Sequence, residues 1–451
     1  MNPPTRSRMW YRLRFDCPIS EAAGEQYASD PEKVAAHAFF PFLSYVKVSP
    51  RYRKVEHKVK PKERPIRYAS HLDTAIYRHY ANCLSDAYED LLAREGLQEC
   101  VVAYRRLNKS NVDLAVEVFG IIRAYLKNKG SCFALCIDIE DFFESLDHKE
   151  LKARWQELLG VTRLPEDHYN VFKSVTRYAY VERDKLFKLF AEADPAGRRR
   201  ICSAREFREK VRKRSGQDGR LVEVNRSGKG VPQGSPISAV LSNLYMVPFD
   251  KAVNRFCTDN GCHYRRYSDD IILVGPAGLE DSALSLLRDR LQAQGLRMNE
   301  SKTELRHFRV SSGGCEAQEG PLQYLGLTYD GEKVLLRSST LSRYHRKLRR
   351  YIAASERKAL SSPRGTRLCR RRTFRQFTMR GRRNFIDYAV RADEAVEGAG
   401  LRSGIRNQVR RHWVIVNRLL MEADNRVAAT RSVRQATSLV AVTRNSSPGD
   451  E

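Results

Sequence analysis

The hydrophobic and polar positions of this chain predict a buried strand and a hairpin that both carry acids. Ser131 to Asp138 is a continuous apolar run that ends in a single carboxylate, which is typical of a fully buried strand. Tyr264 to Val274 contains two short β-forming runs that meet at Asp269 and Asp270, which predicts a hairpin with acids at its turn. An ordinary polar turn is the alternative interpretation of this second segment, because Ser and Asp are common turn residues.

Apolar residues at helical spacing predict several amphipathic helices. They cover residues 72–92, 112–127 and 284–294, with two more after the acidic pair Asp147 and Glu150 and after Ser235-Pro236. Ser235 and Pro236 are expected at the N-cap and first turn of their helix, and Pro248 is expected to end or kink it. Gln233 and Gly234 are then expected in the loop just before that helix.

The charge of the chain is one-sided and concentrated. Its 451 residues can form a large core and two to three subdomains. Lys and Arg number 81 against 54 Asp and Glu, a formal net charge of +27. Residues 336–435 alone hold 26 Lys and Arg against 7 Asp and Glu, a net of +19. This concentration predicts a polyanionic partner.

Membrane insertion and secretion are not expected. No window reaches the roughly 18 apolar residues of a membrane span, and the N-terminus has no apolar signal-peptide core. We therefore expect a cytoplasmic protein with no membrane partner. The ten cysteines are scattered, and the one cluster of zinc-binding residue types, Cys257 to His263, lacks a second ligand pair at zinc spacing.

Three carboxylates stand where they can form a cation site. Asp138 ends the buried strand, and Asp269 and Asp270 lie at the predicted hairpin turn. A strand that carries an acid out of a core toward a hairpin with two more makes an oxygen-rich site. Hard divalent ions such as Mg²⁺ prefer carboxylate oxygens and keep waters and phosphates as their other ligands.

Three segments, in the right order, resemble the motifs of reverse transcriptases. Tyr267 to Asp270 resembles the Tyr-x-Asp-Asp motif, Asp138 to Phe143 the first palm motif, and Gly230 to Asn243 the Gln-Gly-x-Pro segment. The resemblance implies an α+β right-hand polymerase with fingers, a palm of antiparallel sheet and helices, and a helical thumb. It further implies that the three acids hold two Mg²⁺ ions and catalyse RNA-directed DNA synthesis.

The resemblance also assigns roles to other residues. Phe143 would exclude a 2′-hydroxyl from the incoming nucleotide, and Lys302 would act in catalysis by protonating the leaving pyrophosphate. Core packing and a plain surface lysine are the alternatives for these two residues. The predicted substrate-binding residues are Lys62, Arg64, Phe143, Gln233 and Gly234. The predicted nucleic-acid-binding residues are Arg105, Tyr267, Tyr324, Arg346, Arg350, Arg371 and Arg372.

These motifs divide the chain into seven predicted segments. They are an N-terminal extension (1–30), fingers (31–130), a first part of the palm (131–160), a basic fingers-side insertion (161–229), a second part of the palm (230–335), a basic helical thumb (336–435) and a flexible tail (436–451). A flexible basic loop is the alternative for the insertion.

Among reverse transcriptases, the sequence looks most like the bacterial group of the intron and retron lineage, because Ser-Pro follows Gln233-Gly234. The retron thumb motif Val-Thr-Gly and recognisable nuclease or zinc modules are missing from the sequence. We therefore expect a stand-alone defence-associated enzyme. It would copy a cognate non-coding RNA into DNA from deoxynucleoside triphosphates and act against bacteriophage.

Three alternatives stay open at this point. One is a retron-type or reduced group II intron reverse transcriptase. Another is an RNA-binding protein with an inactive polymerase site, although all three acids are present. The third is an RNA-dependent RNA polymerase, which Phe143 and the Tyr-Ser-Asp-Asp form disfavour. Oligomerisation is left open by the sequence.

Overall fold

The computed structural model describes residues 13–53, 58–190, 198–213, 221–312, 314–361 and 368–444. Parts of the predicted N-terminal extension, basic insertion and tail lie outside these residues. The chain divides into two compact units. Unit 1 consists of Met1–Leu107, Cys136–Leu273 and Leu279–Thr303, and unit 2 of Asn108–Leu135, Val274–Gly278 and Glu304–Glu451. The seven predicted segments stay a prediction.

The strands of the described residues form three sheets, with orders β2-β1-β4-β5, β6-β7-β3-β8-β9 and β10-β11-β12-β13. Strand β1 pairs antiparallel with β2 and parallel with β4, and β12 pairs antiparallel with β11 and parallel with β13. The strands are β1 (Phe42–Arg53), β2 (Lys58–Tyr68), β3 (Ser131–Asp138), β4 (Ala179–Glu182), β5 (Val222–Val224), β6 (His263–Tyr267), β7 (Asp270–Gly275), β8 (Glu304–Ser311), β9 (Gly314–Ala317), β10 (Leu322–Tyr324), β11 (Leu327–Tyr329), β12 (Lys333–Leu336) and β13 (Arg402–Ser403).

The helices form a larger group in unit 1 and a second group in unit 2. Those of unit 1 are α1 (Glu21–Ala28), α2 (Pro31–Ala35), α3 (His71–Arg94), α5 (Phe142–Ser145), α6 (His148–Leu159), α7 (Glu166–Thr176), α8 (Arg183–Leu189), α9 (Ala204–Glu206), α10 (Ser238–Tyr245), α11 (Val247–Asn260) and α12 (Glu280–Ala293). Those of unit 2 are α4 (Asn111–Lys129), α13 (Ser338–Ser361), α14 (Arg370–Phe377), α15 (Phe385–Gly398), α16 (Ile405–Val409) and α17 (His412–Arg444). The predicted α+β class is confirmed.

Local sequence signals explain several helix boundaries in unit 1. The Asp147 carboxylate accepts hydrogen bonds from the backbone N–H groups of Lys149 and Glu150, so Asp147 caps α6, the helix predicted after this acidic pair. Leu151 and Trp155 are fully buried on the face that α6 turns inward. The helix predicted over 72–92 is α3, which extends one or two residues further at each end.

The prediction that Ser235 is an N-cap was wrong. Helix α10 begins at Ser238, and Ser235 and Pro236 lie in the turn before it. The Ser238 hydroxyl donates a 2.7 Å hydrogen bond to the Pro232 carbonyl and so closes that turn. Ser-Pro serves a turn as well as a helix start, which explains the error. Pro248 lies in the first turn of α11, so α10 ends before it as expected.

Aromatic packing holds the elements of unit 2 together. The Phe119 ring of α4 stacks on Tyr329 of β11, with ring centroids 5.0 Å apart. The Tyr344 ring of α13 stacks on Phe385 of α15 at 4.7 Å. Ser110 and Asp113 form a reciprocal capping box at the start of α4.

Among the described residues, no helix combines the length and apolar content needed to cross a bilayer.

Candidate active site

The end of β3 lies beside the turn between β6 and β7 in unit 1. Strands β3 and β7 are neighbours in one sheet, and the Ile139 N–H donates a 3.3 Å hydrogen bond to the Asp269 carbonyl. Strand β7 begins at Asp270. The structure therefore brings Asp138, Asp269 and Asp270 to the same end of the sheet. Asp270 is exposed and the other two acids are half-buried.

The hairpin turn consists of Ser268 and Asp269. Ser268 is buried and has a φ of 61°, in the left-handed region that two-residue hairpin turns favour. For a residue with a side chain this conformation costs roughly 1–2 kcal/mol. Surrounding contacts must therefore hold Ser268, and with it the acid that follows.

Residues of the turn after α12 surround Asp138. The Lys302 ammonium forms an ion pair with Asp138 Oδ2. The Asn299 N–H donates a 2.8 Å hydrogen bond to the Asp138 carbonyl, and the Asn299 side-chain nitrogen lies 3.5 Å from Asp138 Oδ2. The predicted proton donor is thus in contact with a predicted metal ligand. A metal ion would compete with the lysine for the same oxygen.

The donor set at this end of the sheet fits Mg²⁺. Among the residues that the structure describes, no group of three or more His, Cys, Asp or Glu side chains is close enough to hold a metal ion alone. Mg²⁺ needs only one or two carboxylates, because waters and substrate phosphates complete its octahedron. One or two carboxylates from the three acids would therefore be enough for Mg²⁺, with waters and phosphates as its other ligands.

A buried ion pair supports the hairpin turn. The Arg266 side chain is fully buried and donates hydrogen bonds of 2.7 Å to both carboxylate oxygens of Asp250 in α11. Its third nitrogen donates to the Ser268 carbonyl at 3.3 Å and to Asn243 Oδ1 at 3.1 Å. Since Ser268 is the first residue of the turn, this network positions Asp269.

Neighbouring groups complete this network. The Tyr264 hydroxyl donates a 2.7 Å hydrogen bond to Asp250, and the Asn243 amide donates to the Ala103 carbonyl at 2.9 Å. Burial works against the charge on Arg266, but Asp250 raises the pKa of the guanidinium above its ordinary value. Arg266 therefore remains charged inside the core.

Sequence analysis missed Arg266 and Asp250 because charged residues are normally assigned to surfaces. The sequence nevertheless contains a signal for this buried pair. Tyr264, Arg266 and Ser268 are spaced by two residues, and side chains at this spacing lie on the same face of a strand. A β-strand whose inward face includes an arginine requires a buried acid as its partner.

The loop that contains Gln233 packs against β2 and against Glu144. The Gln233 carbonyl accepts a 2.8 Å hydrogen bond from the Arg67 N–H. Its side-chain amide donates to the Glu144 carboxylate oxygens at 3.0 and 3.2 Å. Gly234 has a φ of +114°, and a Cβ there would lie 2.6 Å from the Arg67 carbonyl oxygen. Only glycine permits this close approach.

Phe143 lies beside the same loop. The Val231 N–H donates a 2.8 Å hydrogen bond to the Phe143 carbonyl, which joins the first predicted motif to the second. Phe142 is buried in the core, whereas Phe143 is only half-buried. Burial raises the pKa of the adjacent Glu144 carboxyl. The predicted substrate-binding residues Phe143, Gln233 and Gly234 therefore form one cluster.

The basic residues of β2 differ in their environments. Arg64 is exposed. For Lys62, the structure describes the backbone in β2 but not the side chain. Arg67, which sequence analysis did not select, lies over the rings of Tyr178 and Tyr180 at 4.9 Å from each centroid. Its Nε and Nη1 atoms are buried without a hydrogen-bond partner among the described residues. Arg67 thus adds a cation next to the Gln233 loop.

Comparison with known families decides the assignment. The model of the family described as reverse transcriptase (RNA-dependent DNA polymerase) matches residues 57–329, more than half of the chain. The chain belongs to the reverse transcriptase family. The matched residues include both β3 and the β6–β7 hairpin.

Solved structures that are similar to this chain include two telomerases. The telomerase of Candida albicans, in complex with a fragment of telomeric RNA, aligns with 90% of this chain and 63% of its own, at 13% identity and a TM-score of 0.40. An apo telomerase of Candida tropicalis aligns with 86% of this chain and 62% of its own, at 14% identity and a TM-score of 0.41. The chain thus spans less than two thirds of these telomerase chains. No curated protein matches its sequence.

Two of the residues predicted to bind nucleic acid have side chains that are enclosed within the fold of this reverse transcriptase. Arg105 pairs with Glu89 through hydrogen bonds of 2.8 and 2.6 Å and donates to two backbone carbonyls at 2.6 Å. Tyr324 is 5% exposed in β10. These environments do not favour contact of either residue with nucleic acid, because their side chains are enclosed by protein.

The other predicted nucleic-acid-binding residues are accessible. Tyr267 is half-buried at the end of β6, with its ring centroid 6.4 Å from that of Tyr104. Four arginines are exposed on helices of unit 2: Arg346 and Arg350 on α13, and Arg371 and Arg372 on α14. Their charge is available to a polyanion.

Proposed function

We propose that the chain is an RNA-directed DNA polymerase with Asp138, Asp269 and Asp270 as its catalytic acids. The observation that carries the proposal is the hydrogen bond between Ile139 and Asp269, which joins the end of β3 to the hairpin turn. Membership of the reverse transcriptase family supports the reaction. This hydrogen bond supports the proposal because it brings the acids of two separate motifs to one end of the sheet.

The three acids would hold two Mg²⁺ ions, which supply activation of the primer 3′-hydroxyl and neutralisation of the triphosphate when bound. In the free site, Lys302 balances the charge of Asp138 through its ion pair. When the nucleotide enters, the Lys302 ammonium is released from Asp138 and can give a proton to the leaving pyrophosphate. The Arg266 network keeps the turn with Asp269 fixed during these steps.

Residues around Gln233 would bind the incoming deoxynucleotide. Gln233 is fixed by Glu144 and by the Arg67 backbone, so its loop presents a defined surface to a base pair. The half-buried Phe143 ring would exclude a 2′-hydroxyl and so select deoxynucleotides over ribonucleotides. Arg64 and Lys62 would contact the triphosphate, because guanidinium and ammonium groups suit phosphate oxygens.

The proposed template is a non-coding RNA associated with the protein, and the proposed role of the DNA product is antiphage defence in the bacterial cytoplasm. Support for RNA binding comes from the net charge of +19 in residues 336–435. Support for the bacterial role comes from the resemblance of Gln233 to Pro236 to the intron and retron lineage. A mobile-element enzyme of the same lineage is the competing proposal.

Sequencing the RNA and DNA that co-purify with the protein from cells tests this proposal. The native protein is compared with the Asp269→Ala/Asp270→Ala variant. We expect one short RNA to be enriched with both proteins and its complementary DNA only with the native protein. Bound RNA without acid-dependent DNA, with or without phage, would favour the RNA-binding alternative instead.

A further inference from the structure

Unit 2 contains a pocket of about 770 Å³ whose lining is dominated by arginine. We call it the arginine pocket. Its lining residues are Arg371, Arg372, Arg375, Gln376, Arg380, Gly381 and Arg382. Five guanidinium groups and no acidic side chain thus line one cavity. Its volume is within the range of about 300–1,000 Å³ that is usual for small-molecule sites.

The loop that lines the arginine pocket with Arg380, Gly381 and Arg382 is fixed by Asn384. The Asn384 amide donates hydrogen bonds to the carbonyls of Arg375, Thr378 and Gly381 at 3.1, 2.7 and 3.1 Å. The side-chain oxygen of Asn384 accepts from two N–H groups in the first turn of α15. One side chain therefore joins the end of α14, the loop and the start of α15.

Gly381 allows the loop to approach α14. A Cβ at this position would lie 1.7 Å from the Arg375 carbonyl oxygen, which is closer than any side chain permits. Arg380 and Arg382 flank this glycine and both line the pocket with the arginines of α14. The grouping of five arginines is therefore a product of a specific loop structure.

Some arginines of unit 2 have an acidic partner, and the pocket arginines have none among the described residues. Arg370 pairs with Asp424 at 2.6 Å, and Arg426 pairs with Glu356 at 2.9 Å. None of the five pocket arginines forms an ion pair with another residue that the structure describes. Grouping like charges without partners is unfavourable, and a bound anion removes this cost.

We propose that the arginine pocket binds closely spaced phosphates of an RNA, with the 5′-triphosphate end of an RNA strand as the preferred source. A guanidinium can bind two phosphate oxygens at once, and five of them suit a dense group of oxygens. An RNA backbone carries one charge per nucleotide, so a single cavity holds few backbone charges. A 5′-triphosphate concentrates several charges within one cavity. Phosphates brought together at a sharp bend of the RNA backbone are the second source of closely spaced charges.

This inference rests on the proposed RNA binding but not on the catalytic acids, so it is tested by binding alone. The protein is the full chain with Asp269→Asn and Asp270→Asn, which prevents synthesis. Its affinity is measured for one short RNA prepared with a 5′-triphosphate and with a 5′-hydroxyl. The pocket variant is Arg375→Ala/Arg382→Ala. The matched control is Arg391→Ala/Arg418→Ala, which removes two exposed arginines that pair with Asp387 and Glu422 within their own helices.

We expect the pocket variant to bind triphosphate RNA more weakly, by about tenfold for each arginine removed. The slope of log affinity against log salt should fall by about 0.7 for each phosphate of single-stranded RNA that the variant no longer binds. The control substitutions should change the affinity only slightly, and by the same factor for the triphosphate RNA and the hydroxyl RNA. A loss specific to the triphosphate RNA identifies the strand end as the ligand, and an equal loss for both RNAs identifies backbone phosphates.

Equal affinities of the pocket and control variants for both RNAs would overturn the proposal. Thermal unfolding checks that each variant is folded. Added inorganic triphosphate should raise the unfolding midpoint of the parent and the control variant but not that of the pocket variant. Arg375→Lys/Arg382→Lys retains the charge and should restore part of the affinity. Failure of the proposed polymerase function is distinguishable, because a chain without synthesis in primer extension would still give the binding results above.

Discussion

Arg265 and Arg266 are adjacent residues whose ion pairs differ in exposure. Side chains alternate across a strand, so Arg266 is enclosed with Asp250, while the Arg265 side chain is 15% exposed and pairs with Glu99, whose side chain is 81% exposed. A buried pair that loses one member leaves an uncompensated charge in the core. A pair whose carboxylate is exposed contributes little, because water still solvates the carboxylate when the arginine is removed.

Replacement of Arg266 by Met should therefore lower the free energy of unfolding by about 3–5 kcal/mol. The Arg265→Met control should change it by roughly 0–1 kcal/mol. Urea denaturation of both variants measures the difference. Arg266→Met/Asp250→Leu, which removes both charges, should recover part of the loss. Equal effects of the two single substitutions would show that the buried pair does not support the hairpin.

Gly234 is the residue whose backbone conformation limits the loop that contains Gln233. Gly234→Ala should destabilise the fold by about 1–3 kcal/mol, because alanine is strained at positive φ. It should also raise the KM for nucleotide, since the new Cβ displaces Gln233 from Arg67. The control is Gly278→Ala, where φ is +98° but nothing lies within 4 Å of the added Cβ. Matching KM values for the two variants would contradict a role for this packing.

At the scale of elements, the sequence predicts what depends on local pattern. The inward stripe of α6 and its Asp147 cap follow from spacing within a few residues, and both are present. The start of α10 was misplaced, because the choice between a turn and a cap at Ser235 depends on the Pro232 carbonyl and its partner. The contact between Gln233 and Glu144 joins residues 89 positions apart, and no local pattern reports it.

The junction of α5 with the Gln233 loop has a pH dependence that can be tested. Burial raises the pKa of Glu144 above its ordinary 4.5, so the folded state holds this proton more tightly than the unfolded chain does. The stability from Glu144 is therefore fully present below its unfolded pKa and is lost as the pH rises through the raised value.

Glu144→Gln keeps an acceptor for Gln233 but cannot ionise. The variant should gain stability relative to the native chain as the pH rises from below 4.5 to neutral. Denaturant unfolding over that range measures the difference. The control is Glu140→Gln at an exposed position of the same segment. A difference for Glu144→Gln that stays constant with pH would contradict the assignment.

At the scale of the whole molecule, motif order and charge distribution carry the assignment. The three ordered motifs predict the family, which the match over residues 57–329 confirms. The net charge of +19 in residues 336–435 predicts a polyanion surface but not its form. The arginine pocket could not be predicted, because it depends on how Gly381 and Asn384 fold one loop against α14.

The exposed arginines of α13 should bind RNA mainly through phosphates. Arg346→Ala/Arg350→Ala should weaken binding by similar factors for unrelated RNA sequences. It should reduce the salt slope by about 0.7 for each phosphate of a single strand that is no longer neutralised. Affinity measured over a salt series tests this expectation. An unchanged slope would place the RNA elsewhere.

Primer extension on an RNA template tests the central claim most directly. Native protein with Mg²⁺ is expected to extend a primer with deoxynucleotides and far less with ribonucleotides. Asp138→Asn, Asp269→Asn and Asp270→Asn should each abolish extension while leaving the thermal unfolding midpoint nearly unchanged. Undiminished extension by any of these three folded variants would contradict the account, because that acid would then not be part of the catalytic site.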